Sequence, residues 1–385
     1  MCRQRTDRLA PRLAEEIALP LDAAPDLDQL PAIAPARRQA AEADRWDRLL
    51  LSWPGAHPLQ SFGTGAVQSA VGWTPRRLEV AVPGRSAGLP LLALVGSPGP
   101  GLPRRLYVPK GPACAPGDAE AWGHALEALE RLAAVETAAV VEIEPPAWQE
   151  DLDLLRARLG PGWTRAETTR QPAVTAVVDL DGGMEAVLAR MRPKGRYNVR
   201  LAARRGVACE VVEDPDAVAA ELGPLLAATA ARQGTHLADG AHVRRVLAAM
   251  PSAQALVARV EGEAVAGIVL LTFGEQAVYL YGGSSERHRD RQPSAALQAF
   301  AMERAVAAGC TSYDLWGMPP GDDPSHPWHG LRQFKLNLGG VERTTAGAHL
   351  RVRRPAAARA LRAGDTLRET ARRLRSHRRP HRGAR

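Results

Sequence analysis

The sequence predicts an α/β protein with mixed sheets (the α/β or α+β class), built from two similar modules packed side by side. A chain of 385 residues is longer than one core of ordinary size requires, so two packed units are expected. Short apolar runs of strand length alternate with amphipathic helical stretches along the chain, which indicates layers of helices on sheets. Both halves of the chain also present a hairpin, a helix and a strand in the same order.

The first module is predicted over residues 41–175, after a loose leader rich in Pro and Ala at residues 1–40. Residues 119–134 form an amphipathic helix, because Trp122, Ala125, Leu126 and Leu129 recur on one helical face. The expected helices are 37–51, 60–71, 119–134 and 152–159, and the expected strands are 78–82, 89–95 and 138–143.

The second module is predicted over residues 176–339. Its expected helices are 184–190, 194–205, 216–232, 242–250 and 295–308, and its expected strands are 208–213, 255–261, 264–273, 277–281 and 311–315. We expect residues 340–355 to return to the first module and residues 356–385 to form a basic C-terminal helix or tail.

The net charge of +8 is concentrated at the end of the chain, where residues 351–385 contain 13 Arg and two acidic residues. Such a segment favours RNA or an anionic membrane surface, and a solvated terminus is the alternative. The four cysteines are isolated and lack metal-ligand spacing, so neither a metal site nor a disulfide framework is expected. With no signal peptide and no long apolar run, the sequence predicts a cytoplasmic protein.

A basic segment begins the second module. Lys194, Arg196, Tyr197 and Arg200 lie at the start of a predicted helix, and no acidic residue occurs from 190 to 205. Guanidinium groups near a helix N-terminus suit a diphosphate, which this segment is predicted to bind, although a solvated basic face is the alternative.

Two later motifs suggest a ligand site. Tyr279 and Tyr281 alternate along a strand that ends in Gly282, Gly283 and Ser284, where alternation predicts both rings on one face and glycine permits close approach of a ligand. Further on, Asp314 ends a strand, and Lys335 lies in a short apolar helix next to Phe334. Lys335 is interpreted as a fixed cation facing a developing oxyanion, and a side chain that snorkels to solvent is the alternative. Asp314 is a candidate base, and a carboxylate or water supplied by the substrate is the alternative.

Five ordered blocks resemble the Fem family of aminoacyltransferases, which includes FemA, FemB and FemX. They are Pro109-Lys-Gly-Pro, Lys194-Gly-Arg-Tyr-Asn-Val-Arg, Tyr281-Gly-Gly-Ser-Ser, Tyr313-Asp-Leu-Trp-Gly and Phe334-Lys-Leu-Asn-Leu-Gly-Gly. Gln60 and Ser61 resemble the opening block of the family. No segment is long enough for the helical arm of FemA and FemB, so the chain resembles the compact FemX type most.

The resemblance implies two GNAT-like domains and transfer of an amino acid from aminoacyl-tRNA to an amine of a peptidoglycan precursor, in cell-wall synthesis. The acceptor would be UDP-MurNAc-pentapeptide or a lipid-linked precursor, with aminoacyl-tRNA as co-substrate and no cofactor. The Arg-rich tail would contact the inner membrane face. By position, Lys335 and Asp314 would be catalytic. The substrate-binding residues would be Gln60, Lys194, Arg196, Tyr197, Arg200, Tyr281, Ser284 and Phe334.

Other functions remain open from the sequence. Gln68 stands where the family's precursor-binding lysine is expected, which keeps a tRNA-dependent role in natural-product biosynthesis open. A CoA-dependent GNAT N-acyltransferase is disfavoured, since the expected pyrophosphate loop at residues 289–296 contains no glycine and includes Pro293. A noncatalytic RNA-binding protein would use the Arg-rich tail but leave the later motifs unexplained.

Overall fold

The computed structural model of the protein describes residues 36–234 and 238–377. Most of the predicted leader therefore lies outside the described residues, and residues 36–40 belong to the first helix. The described chain forms two sheets, each with parallel and antiparallel strands and each covered by helices. This confirms the predicted fold class.

The first sheet has six strands in the order β1-β2-β3-β4-β13-β5. Its strands are β1 (Thr74–Val80), β2 (Leu89–Gly96), β3 (Arg105–Pro109), β4 (Val140–Glu144), β5 (Trp163–Arg165) and β13 (His349–Val352). Its helices are α1 (Ala36–Leu51), α2 (Phe62–Ser69), α3 (Ala119–Val135) and α4 (Leu152–Leu159), with short 3₁₀ turns at Pro58–Gln60 and Gln149–Asp151. Trp122 of α3 packs in the core under this sheet, as its helical spacing predicts.

The second sheet has seven strands in the order β12-β6-β11-β10-β9-β8-β7. Its strands are β6 (Val174–Asp179), β7 (Ala208–Val212), β8 (Ala253–Val260), β9 (Glu263–Phe273), β10 (Gln276–Ser284), β11 (Ser312–Gly317) and β12 (Val341–Thr344). Its helices are α5 (Gly183–Arg190), α6 (Pro193–Arg204), α7 (Pro215–Gln233), α8 (Gly240–Ala249), α9 (Pro293–Ala307) and α10 (His329–Asn337), with a 3₁₀ turn at Arg289–Arg291. A C-terminal helix, α11 (Pro355–His377), follows β13.

Each sheet contains one parallel pair among its described strands, and a helix connects its two members. These pairs are β3 with β4 through α3, and β10 with β11 through α9. A parallel neighbour needs a crossover of this kind, so the repeated order seen in the sequence corresponds to the same βαβ unit built twice.

The return of the chain to the first sheet occurs later than predicted. Strand β12 pairs with β6 and so belongs to the second sheet, whereas β13 pairs with β4 and β5 in the first. Within the predicted return of residues 340–355, the crossing therefore lies between Thr344 and His349.

Candidate functional site

A gap between β10 and β11 creates the main cavity of the second unit. Residues Gln276–Val278 of β10 pair with Ser312–Asp314 of β11, and both strands continue beyond these pairs. Past this point they diverge, and a cavity of about 350 Å³ occupies the space between them, α7, α9 and α10. A break in a parallel pair at its carboxyl end is where α/β sheets commonly bind ligands.

Several of the predicted site residues meet in this cavity. Tyr281, Ser284, Phe334 and Lys335 all line it, together with Trp316. The described lining contains three cationic side chains, Arg232, Arg289 and Lys335, and no carboxylate. Glu286 forms ion pairs with Arg232 at 3.0 Å and with Arg289 at 3.1 Å. Of the three cations in the described lining, Lys335 is therefore the one without an ion pair.

Lys335 is held by backbone carbonyls. Its side chain is only 3% exposed, and its Nζ donates to the carbonyl oxygens of Trp316, at 3.1 Å, and Gly317. The ring of Tyr279 lies 5.8 Å from the same nitrogen. Burial lowers the pKa of Lys335 to about 7, against the opposing attraction of Asp314. The ammonium is therefore oriented, poorly solvated and able to stabilise negative charge in the cavity.

Asp314 does not line the cavity. Its Oδ1 accepts hydrogen bonds from Thr175 Oγ1 and, at 2.7 Å, from the backbone N–H of Trp316. Desolvation raises the pKa of Asp314, while these two bonds and the nearby Lys110 and Lys335 oppose the rise. The structure thus gives Asp314 a positioning role, because its bond to the Trp316 N–H fixes that residue in its left-handed conformation at φ 63°, and its role as a base stays a prediction.

The basic segment lies outside the cavity. Arg196 Nη1 donates to the carbonyls of Leu188 and Ala189, both at 3.1 Å, and of Met191 at 3.3 Å, so it caps the C-terminus of α5. The side chains of Lys194, Tyr197 and Arg200 are exposed on α6. These residues are therefore absent from the described lining of the cavity that contains Lys335, and binding of a diphosphate by this segment stays a prediction.

Gln60 is also a structural residue. Its side chain is fully buried, and its Nε2 donates to the carbonyls of Leu92 at 3.1 Å and Pro109 at 2.6 Å. Its Oε1 accepts from the N–H of Leu92 at 2.8 Å. Because Gln60 is fully buried and both ends of its amide bind β2 and β3, the structure gives its side chain a packing role, and its contact with a substrate stays a prediction.

A β-bulge changes the predicted position of the two tyrosines. The register of β10 with β9 shifts between Tyr279 and Tyr281, leaving Leu280 as the extra residue. Tyr279 packs with the core on the α9 side of the sheet, whereas Tyr281 packs with the core beneath α7 and α8. The two rings thus lie on opposite faces and not on one, and both reach the cavity because it opens through the sheet.

The glycines after Tyr281 serve packing. A Cβ on Gly283 would lie 2.4 Å from the backbone of Leu225 in α7, and one on Gly282 would lie 2.1 Å from the hydroxyl of Tyr279. These glycines therefore permit the close approach of a helix and a ring, where the sequence suggested close approach of a ligand.

Trp316 joins the cavity to the first unit. Its ring packs with Leu59 and Val278, and its centroid lies 6.4 Å from that of His57. The wall of the cavity therefore rests on the 3₁₀ turn at Pro58–Gln60 of the first unit. Sequence reasoning missed this contact, because Trp316 and Leu59 are distant along the chain.

Part of the chain is similar to a known protein family. Residues 241–357, which contain β10, β11 and α10, match the model of the FemAB family. The lipid II:glycine glycyltransferase of Staphylococcus aureus (strain USA300) is 23% identical over 369 residues, covering 76% of this chain and 87% of that protein. The Staphylococcus saprophyticus protein of the same name is 35% identical over 79 residues, covering 20% of this chain and only 19% of that protein.

Solved structures show the same fold. The crystal structure of FemX superposes with a TM-score of 0.74 at 20% identity, covering 82% of this chain and 96% of that one. The C-terminal domain of a putative lysylphosphatidylglycerol synthetase from Agrobacterium fabrum gives a TM-score of 0.52 at 17% identity, covering 86% and 97% of the two chains. The predicted Fem relationship and the predicted enzyme class, an acyltransferase, are confirmed by these comparisons.

Two general features complete the description. Among the described residues, no helix has the length and apolarity that a membrane span requires. Over the same residues, no group of His, Cys, Asp and Glu side chains is arranged to hold a metal ion.

Proposed function

We propose that this chain transfers an amino acid from aminoacyl-tRNA to an amine of a peptidoglycan precursor, and the match of residues 241–357 to the FemAB family model supports the proposal. The Staphylococcus relatives are named for glycyl transfer to lipid II, so a lipid-linked precursor is the preferred acceptor. The observation that carries the proposal is the buried cation of Lys335 in the wall of a cavity whose described lining has no carboxylate.

This chemistry needs little from the protein beyond orientation and charge. The acceptor amine attacks the ester carbonyl, the new C–N bond forms, and the C–O bond to the ribose breaks as the ribose hydroxyl gains the proton lost by the amine. Lys335 stabilises the oxyanion of the tetrahedral intermediate. No serine, threonine or cysteine of the described cavity lining is hydrogen-bonded to a histidine, which agrees with direct attack rather than a covalent enzyme intermediate.

The entrance to α9 argues against a CoA-dependent reaction. Gln292 precedes the helix with φ 59°, and Pro293 occupies its first turn. A pyrophosphate cradle uses successive backbone N–H groups at this junction, and proline lacks one. The glycine-free loop therefore favours the tRNA-dependent proposal over an acyl-CoA donor.

The C-terminal helix supports peripheral contact with the inner membrane face in a cytoplasmic protein. Leu367 of α11 is 72% exposed, and Arg359 and Arg362 are exposed earlier on the helix. Apolar and cationic groups together suit an anionic bilayer surface, where a lipid-linked acceptor would be found.

A transfer assay tests the proposal. Purified protein is incubated with a charged tRNA pool and with either UDP-MurNAc-pentapeptide or the lipid-linked precursor, and mass spectrometry detects an added aminoacyl group. We expect a gain that requires charged tRNA and disappears with deacylated tRNA. Modification from an acyl-CoA donor, without transfer from any charged tRNA, would reject the proposal in favour of the GNAT alternative.

A further inference from the structure

A buried histidine contacts Tyr281, one of the residues that line the cavity. His242 of α8 is 1% exposed, and its Nε2 lies 3.0 Å from the hydroxyl oxygen of Tyr281. The two rings meet edge to face, with centroids 5.4 Å apart and an interplanar angle of 87°. The Leu280 bulge makes this contact available, since it turns Tyr281 toward α8.

Local structure fixes the position of His242. Asp239 caps the N-terminus of α8, and its Oδ1 accepts a hydrogen bond from the backbone N–H of His242 at 2.7 Å. Val243 and Val246 of the same helix pack in the core beneath the sheet. The imidazole therefore extends from a capped and packed helix, which makes it a rigid partner for the tyrosine.

The ring of His242 is neutral near pH 7. Burial lowers its pKa to about 4, the positive charge of Arg245 adds to this effect, and Asp239 opposes it. A neutral imidazole has one protonated nitrogen and one acceptor nitrogen. The direction of the bond to Tyr281 therefore depends on which nitrogen carries the proton.

The surroundings of Nδ1 select the tautomer. Nδ1 is buried and has no hydrogen-bond partner among the described residues. If Nδ1 carried the proton, the protein would bury an unpaired N–H donor, whereas a proton on Nε2 leaves only an unpaired acceptor. Buried orphan N–H groups are the rarer of the two in proteins. The proton therefore belongs on Nε2, which donates to the oxygen of Tyr281.

We infer that His242 is a positioning residue that makes the Tyr281 hydroxyl a hydrogen-bond donor toward an acceptor oxygen of the substrate in the cavity. The phenolic oxygen accepts from Nε2, so its own proton is free to be donated elsewhere, and Tyr281 lines the cavity together with Lys335 and Arg232. The three groups then present donors to the same oxygen-rich ligand. This inference rests on the proposed function for the identity of the substrate, and on the burial and contacts of His242 for the tautomer.

Nitrogen NMR of the resting enzyme tests the tautomer without any substrate. Long-range ¹H–¹⁵N correlation on histidine-labelled protein, with His242→Gln for assignment, is expected to show a protonated Nε2 and an unprotonated Nδ1 near pH 7. A protonated Nδ1 overturns the inference, even if transfer activity is found. This NMR measurement needs no turnover, so its result does not depend on whether the proposed transfer reaction occurs.

A mutant cycle then tests the role of the bond. Tyr281→Phe and His242→Leu are each expected to lower kcat/KM about tenfold, the loss of roughly one hydrogen bond, and the double variant is expected to lose little more. His242→Gln, which keeps an N–H donor near the Nε2 position, is expected to recover most of the activity. Full additivity of the two losses, or no loss in Tyr281→Phe, would overturn the inference. Circular dichroism identifies variants that are misfolded, and for these the tautomer measurement on the native protein decides.

Discussion

The ammonium of Lys335 lies 3.1 Å from the carbonyl oxygen of Trp316, at the point where β11 leaves its regular register with β6. Asp314 fixes the backbone of the same tryptophan from the other side. Backbone carbonyl groups at the irregular end of β11 thus replace the water that the buried lysine loses, and they hold the cation in one orientation. Precision of this kind is what stabilisation of an oxyanion requires.

Lys335→Met is expected to lower kcat by about 10²- to 10³-fold while changing KM little, since it removes a charge that acts mainly in the transition state. Steady-state transfer kinetics measure this. Arg131→Met is the matched control, because Arg131 is an exposed cation on α3 of the first unit, outside the cavity lining, and should retain full turnover. A large rise in KM with unchanged kcat would assign Lys335 to ground-state binding instead.

The rate should also depend on pH around the pKa of Lys335. Burial lowers that pKa to about 7, so the lysine is charged below this pH and neutral above it. If the charged form is active, the ratio of kcat/KM of the wild-type enzyme to that of Lys335→Met falls about tenfold per pH unit above about 7, because ionisation of the acceptor amine cancels in the ratio. The pH profiles of the two enzymes check this. A ratio that rises through this range would indicate that neutral Lys335 acts as a base.

Arg196→Met is expected to destabilise the fold by about 1–3 kcal/mol, because it leaves carbonyls at the end of α5 without their donor. Urea denaturation measures the free energy of unfolding. Arg200→Met, on the exposed side of the same helix, is the control and should change stability by less than about 0.5 kcal/mol. Weaker precursor binding with unchanged stability would restore the substrate role indicated by the sequence.

Gln60→Leu is expected to cost about 2–4 kcal/mol of stability. The variant removes three hydrogen bonds and leaves backbone groups of Leu92 and Pro109 unpaired in the interior. Gln149→Leu, at an exposed position, provides the comparison in the same denaturation experiment. Normal stability combined with impaired substrate binding would contradict the structural role.

The sequence predicts the layers of this protein better than the roles of its polar residues. The helix at 119–134 and the apolar strands can be predicted because their periodicity is local and visible in the sequence. The role of Arg196 depends on carbonyls that only its fold brings within reach, and the face of Tyr281 depends on a single extra residue at Leu280. The burial of Lys335 agrees with its apolar neighbours Phe334 and Leu336, which are visible in the sequence, whereas its catalytic role stays a prediction.

The interior position of β13 has a consequence for biosynthesis. This strand lies between β4 and β5, so the first sheet stays incomplete until residues 349–352 have left the ribosome. The second sheet uses one continuous stretch of chain, from Val174 to Thr344, and its last strand emerges earlier. Both sheets are therefore completed within a few residues of each other, so the first half of the chain is expected to wait for the second before it closes.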